Sequence, residues 1–396
     1  MLRTVSQLGA IVGMNIRNLP ARAAASTVAA VGIGGVVVVL IGVLSMSEGF
    51  RAVLQYSGRD DVAVVLRGGS NDEMSSGLSA AQARIIADAP GVVRTASATL
   101  SSPELYVIID VAARSTGTSA NVPLRGAGAN APQLRQKFRI IQGRMYQPGT
   151  FEVIVGKGAL HQFAGLELDA APRWGSTTWH VVGVFEDSGS VAQGEIWTDV
   201  TVLQNAYNRG TSYQSVRARL TSSQAFQAFK DGLTADPRLN VRVFTERAYY
   251  EEQSRTMTAI VGSVGMTIAV LMGLGAIFAA VNTMYSAVSA RAREIATLRA
   301  LGFGRFPITF SVLVEAALIG VVGGALGMVI AYFAFNGLQA STLNFQSFSQ
   351  ITFAFTVTPQ LAAQGMVYAL ILGLVGGLFP SIRAARQPIV RGLREL

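Results

Sequence analysis

Few residues in this 396-residue chain are placed to do chemistry, and their spacing excludes the common reactions. There is no cysteine, which removes disulfides, zinc–thiolate sites and a thiol nucleophile together. The two histidines, His161 and His180, have no carboxylate cluster around them and read as structural or surface residues. Glu251 and Glu252 are adjacent, so on a helix they face different directions and read as solvated charges, not as an acid–base pair. The string VGKGA at 155–159 lacks the spacing and the hydroxyl of G-x-x-x-x-G-K-[ST]. It reads as glycines at a strand edge around Lys157. Neither H-E-x-x-H nor G-x-S-x-G occurs. The chain is therefore expected to be no enzyme, with no catalytic, cofactor-binding or metal-ligating residue of its own.

The charged residues that do stand out lie between two greasy runs. Upstream of Arg291 there is no Asp, Glu, Lys or Arg until Arg255, and downstream of Glu315 none until Arg383. The bridge NTMYSAVSARAREIATLRALGFGRFP (282–307) carries Arg291, Arg293, Glu294, Arg299 and Arg305 and belongs in water. Ala292, Ile295, Leu298 and Leu301 recur at about one-turn spacing, while Arg291, Glu294 and Arg305 fall off that stripe. Gly302 and Gly304 are expected to stop this helix and Pro307 to open the next. An amphipathic turn on lipid headgroups and a helix offered to another protein both fit this pattern. Glu315 is the ionisable residue well inside a greasy run. Such a group is costly in lipid, so it pairs with an Arg near the inner face, sits in a helix contact, or couples to protons.

Those runs set the class. With 50% hydrophobic and 14% charged residues, the chain contains uncharged stretches that exceed the roughly 20 residues needed to span a bilayer. The net charge is +9. Its excess sits in three short segments that alternate with the spans: Arg3, Arg17 and Arg22; the bridge; and Arg383, Arg386, Arg391 and Arg394 with Glu395. That is the positive-inside pattern, and it argues against nucleic acid as a partner.

In chain order, 1–22 is expected as a cytoplasmic amphipathic segment and 23–47 as the first transmembrane helix, too long for a signal-peptide core. Residues 48–255 form an exported domain. Two β-α-β patterns at its ends (48–115 and 212–245) make an α+β subdomain. A β-rich insertion (116–211) lies between them, and a helical stalk (246–255) closes the domain. The remaining spans are 256–285, 307–335 and 361–382, separated by a cytoplasmic loop (286–306) and an uncharged outer loop (336–360). A cytoplasmic tail (383–396) follows. The fold class is membrane α-helical, four transmembrane helices with a large α+β extracytoplasmic domain inserted between helices 1 and 2. Small residues recur four apart at Gly323 and Gly327, at Gly373 and Gly377, and at Gly265, Ala269 and Gly273. This spacing serves close helix packing, either within one subunit or between two.

AREIATLRALGFGRFPI, with Asn282 before it and VEAALIG after it, resembles the signature of the MacB/FtsX-like permease family. GLVGGLFPSIRAARQPIVRGLREL resembles the family's last span and tail. The first span, IRNLPARAAASTVAAVGIGGVVVVLIGVLSMSEGF, is similar too, and IIQGRMYQPGTFEVIVGKGA with WHVVGVFED resembles the periplasmic core domain. The resemblance implies the membrane subunit of an ATP-binding-cassette system of the mechanotransmission kind, in the bacterial inner membrane with both termini cytoplasmic. It implies that 290–301 is a coupling helix seated on a separate ATPase subunit, present in two copies, which carries the ATP and magnesium. Arg291, Glu294, Ile295, Leu298, Arg299 and Gly302 are the coupling residues it points to. A second permease copy or homologue is implied, with a periplasmic adaptor and outer-membrane channel in the exporting branch. Expected cargoes are a lipid, lipoprotein, peptide or hydrophobic compound. The alternative branch transports nothing and activates a periplasmic partner such as a cell-wall hydrolase; the large outer domain favours the exporting one.

Overall fold

The computed structural model describes residues 23–96, 98–187, 190–343 and 350–388. The amphipathic segment expected over 1–22 and the tail beyond 388 lie outside them. Helix α1 (Ala23–Ser57) leads into strand β1 (Val62–Arg67), helix α2 (Ala80–Asp88) and the long strand β2 (Ser101–Ala112). Next come β3 (Ser119–Ala127), the short α3 (Ala131–Leu134), β4 (Arg139–Gly143), β5 (Glu152–Gly156) and α4 (Lys157–Gln162). A two-residue hairpin, β6 (Arg173–Trp174) and β7 (Thr177–Thr178), precedes β8 (His180–Glu186), β9 (Ile196–Asp199) and α5 (Val200–Ala206). Strand β10 (Ser215–Arg219), α6 (Ala225–Ala235) and β11 (Val241–Thr245) then lead to α7 (Glu246–Ala290). The chain continues through α8 (Ala292–Ala300), α9 (Arg305–Phe335), the strands β12 (Gln339–Leu343) and β13 (Gln350–Ala354), and α10 (Pro359–Arg386).

The chain forms two compact units, divided after Glu48, Ala259, Leu338 and Ala354. The large domain (Gly49–Ala259 with Gln339–Ala354) is built on a nine-stranded sheet in the order β11-β1-β10-β2-β3-β9-β5-β8-β4. Helices α2 and α6 cover the β11-β1-β10 end, burying Ile86, Phe229 and Leu233 against Ala63, Val65, Val216 and Val243. Ser79 caps α2 in a capping box with Gln82, which satisfies two orphan N–H groups at its start. The other end has an apolar core on each face. One holds Trp179, Phe163 and Leu203, the other Phe185, Trp197 and Ile154.

The internal boundary differs from the one expected at 115/116. Strand β2 is shared: Ser101–Glu104 pair with β10, and Leu105–Ala112 pair with β3. Pro103, opposite Val216, lacks a ladder donor and hides the first half of this strand in the sequence. The uncharged outer loop also differs from expectation. Its β12 and β13 pair antiparallel from Gln339↔Ala354 to Leu343↔Gln350, and the hairpin belongs to the large domain. There Phe353 is buried edge-on to Phe50, their ring centroids 5.8 Å apart.

Among the described residues, four helices are long and apolar enough to cross a membrane, Ser26–Leu54, Ala259–Ala290, Arg305–Phe335 and Pro359–Arg386, and most of each lies in the second unit. Helix α1 continues past the limit expected at 47, through Glu48 and Arg51. Helix α7 is continuous through 255 and 285, so the bridge narrows to the residues around α8.

Candidate functional site

The bridge is a nine-residue helix between two turns. Helix α7 ends at Ala290, and Arg291 leaves helical geometry before α8 begins. Glu294 in the first turn and Arg299 in the last both complement the helix dipole. At the far end Gly302 adopts φ +91°, a left-handed conformation that disfavours any residue with a β-carbon. The Phe303 N–H donates to the Leu298 carbonyl and the Gly302 N–H to the Arg299 carbonyl, both at 3.1 Å, a Schellman stop. Gly302 therefore ends the helix, and Gly304 caps the start of α9 two residues later.

The residues marked for coupling divide between two faces. Ile295 is buried with Ala29, Met284, Val288, Ile308, Val312 and Ala384, a cluster that ties the bridge to all four long helices. Arg291, expected off the apolar stripe, is 3% exposed. It stands four residues before Ile295, hence on the same face, and donates from Nη2 to Glu315 Oε2 at 2.5 Å. Its Nε donates to the Ala287 carbonyl at 3.3 Å. Glu315 is thus the partner of an arginine at the helix junction. Arg299 is half-buried and donates from Nη1 to the carbonyls of Ala385 (2.7 Å) and Gln387 (3.4 Å), where α10 ends with orphan acceptors. Arg291 and Arg299 thus fix α8 to α9 and α10. The face left outward carries Arg293, Glu294, Thr297, Ala300, Leu301 and Gly302, with Leu298 at its edge; Leu301 is 72% exposed.

The glycines hold helices together inside this one copy. A β-carbon on Gly323 would meet the Ala30 carbonyl, and one on Gly327 the Gly34 carbonyl, so α9 and α1 touch backbone to backbone. Gly373 and Gly377 face Ala316, bringing α10 onto α9. Gly273 leaves room for the Tyr368 hydroxyl, which donates to the Ala269 carbonyl at 2.7 Å. Elsewhere, His161 and His180 are exposed on separate elements, and Lys157 pairs with Glu186 at 2.9 Å. Glu252 pairs with Arg242 at 3.2 Å, while Glu251 is exposed.

Two family models match this chain: the MacB-like periplasmic core domain over residues 24–236, more than half its length, and the FtsX-like permease C-terminal region over 266–389. The chain belongs to the MacB/FtsX-like permease family. The macrolide export ATP-binding/permease protein MacB of Pasteurella multocida is 26% identical over 303 residues, 72% of this chain and 45% of that protein. The protein of the same name from Bordetella avium is 24% identical over 78% of this chain and 48% of its own length. This permease spans about half the length of the curated relatives it matches. The periplasmic region of MacB from Actinobacillus actinomycetemcomitans aligns with TM-score 0.38 and 13% identity, over 51% of this chain and 96% of that one.

Within the large domain this permease hides a second polar constellation that no spacing rule singled out. Arg125, Arg135 and Arg217 lie buried with Glu73, Glu104, Glu195 and Glu246 around the shared strand β2. Arg125 grips Glu195 with Nε and Nη2, both at 2.7 Å, and reaches Glu104 (2.7 Å) and Glu73 (2.8 Å) with Nη1. Arg217 also contacts Glu104, and it lies 3.1 Å from Glu73. Arg135 meets Glu246, the first residue of α7, at 3.0 Å. Burial by itself would raise the pKa of Glu73, but Arg125 and Arg217 hold it well below the ordinary carboxylate value. Glu195, likewise opposed by burial, is lowered by Arg125. For Glu246 burial prevails over Arg135 and Arg217, and its pKa is raised. The sequence did carry a signal here: Arg125 and Arg217 interrupt the apolar strands VPLRGA and SVRAR.

Proposed function

We propose that this chain is the non-catalytic permease subunit of an ABC system that converts ATP hydrolysis on a separate cytoplasmic ATPase into movement of the large domain outside the membrane. Two ATPase copies, carrying the ATP and magnesium, and a second permease copy complete the assembly, with an adaptor and outer-membrane channel as outer partners. The reading places the bridge and both termini in the cytoplasm and the large domain in the periplasm. The cargo is a lipid, lipoprotein, peptide or hydrophobic compound handled outside the bilayer.

One observation supports this most: α8 is fastened inward by Arg291 and Arg299 while Arg293, Glu294, Thr297, Ala300 and Leu301 form an exposed row along it. A surface helix anchored at both ends passes a push to the helices behind it, whereas a loose loop absorbs it. Because α7 runs unbroken from Glu246 to Ala290, that push has a continuous helix to travel along.

The test is to purify the complex with its ATPase and substitute Glu294→Ala and Leu301→Ala. Loss of ATPase retention or of coupled hydrolysis, with the large domain still folded, supports the reading. Normal coupling in both variants overturns it. A membrane-impermeant thiol reagent should label a cysteine placed at Arg293 only after the cells are opened. Labelling in intact cells would reverse the orientation.

A further inference from the structure

At the end of the membrane unit that borders α8, helices α7 and α10 part to leave a cavity of about 310 Å³. Its lining includes Tyr285 and Ser289 from α7, Arg383 and Arg386 from α10, and Gln387. It therefore holds two guanidinium groups, a phenol, a hydroxyl and an amide and, among the described residues, no carboxylate. Arg383 lies over the Tyr285 ring, 5.2 Å from its centroid, so one cation is already positioned.

What lies along the same faces decides the ligand. Phe278, 73% exposed, is seven residues before Tyr285, and Phe379, 63% exposed, is four before Arg383. These spacings put each phenylalanine on its helix's pocket-lining face, about 10 Å and about 6 Å deeper along the helix axis. Leu274 and Val375, both exposed, extend the two apolar stripes by another turn. Between these levels the helices meet where Gly376 faces Ala280, and the exposed phenylalanines and aliphatics line the outer surface past that contact. The site is thus cationic at one end and apolar beyond it, with the polar part where the spans leave the membrane.

We propose that this cavity binds an anionic phospholipid of the leaflet bordering α8. The arginines grip the phosphodiester, Tyr285 and Ser289 donate to its oxygens, and an acyl chain lies along Phe278 and Phe379. The site is separate from the outward face of α8, so it does not depend on ATPase docking.

The experiment uses the full chain, delipidated in detergent, with bound lipid counted by native mass spectrometry. Phosphatidylglycerol should be retained in preference to phosphatidylcholine, whose headgroup has no net charge. Arg383→Gln and Arg386→Gln should each weaken phosphatidylglycerol binding about fivefold, and the pair about 25-fold. Arg305→Gln removes an exposed arginine of the bridge outside the cavity and should leave binding unchanged. If the double variant loses its fold, the single variants and Tyr285→Ala carry the test. Equal retention of both lipids, or no effect of the cavity variants, overturns the site. Glycerol phosphate bound as tightly as the lipid, with the same arginine dependence, would make the ligand a soluble phosphate and overturn the lipid assignment.

Discussion

Arg291 and Glu315 show how much a single pair is asked to do where the chain enters the bilayer. Both side chains are nearly fully buried, at 3% and 4% exposure, so neither can exchange its partner for water. Removing one leaves an uncompensated charge, which costs about 3–5 kcal/mol. Arg291→Leu or Glu315→Leu alone should therefore lower the melting temperature of the detergent-solubilised chain sharply, and the double variant should recover most of the loss. Circular dichroism melts test this; additive losses would mean the two residues act separately. The pairing was half legible in the sequence. A carboxylate in a greasy run needs a cation, but helix periodicity cannot say which of four bridge arginines supplies it. The same limit applies to Arg299, whose acceptors lie 86 and 88 residues away.

At the scale of elements, a helix end and a helix contact each hang on one missing side chain. Gly302→Ala forces a β-carbon into the left-handed region and should cost roughly 1–2 kcal/mol, loosening the end of α8. Gly327→Val would drive a side chain into the Gly34 carbonyl, an overpacking worth about 1–3 kcal/mol of subunit stability. Thermal melts at constant oligomeric state check both. A Gly327→Val chain that melts normally but no longer self-associates would assign that glycine to a dimer contact instead. The spans were legible because charge vanishes over them, and the α2 and α6 segments because their periodicity is strong. The hairpin β12–β13 was not. Half of its strand residues are polar and the loop between the strands has neither Gly nor Pro, and it is ordered by docking Phe353 and Thr352 on Phe50 and Gly194.

Across the whole molecule, the buried arginine–glutamate cluster should govern how stability follows pH. Glu73 and Glu195 have folded pKa values below the ordinary 4.5, so the unfolded chain takes up their protons first as the solution acidifies. Their contribution is complete above about pH 4.5 and is lost as pH falls through the folded values. Glu246 has the opposite sign: its folded pKa is raised, so it weakens the fold as pH rises from 4.5 through that value. All three tryptophans (Trp174, Trp179 and Trp197) lie in the large domain, so selectively excited tryptophan fluorescence of the full chain reports its melting. Melting temperature should fall below about pH 4.5, and Glu246→Gln should flatten the descent on the alkaline side. A pH-independent profile would contradict both arms. Beyond the two arginines that interrupt apolar strands, the cluster was not legible in the sequence, because its members come from β2, β3, β10, three loop positions and the start of α7, brought together only by the sheet. The placing of the hairpin has a practical consequence for anyone who cuts the protein apart. Because the chain passes between the two units four times, a fragment ending at Ala259 omits a piece of its own wall. Such a fragment should be sticky around the bare Phe50 ring, and splicing residues 339–354 back on through a short linker should cure it.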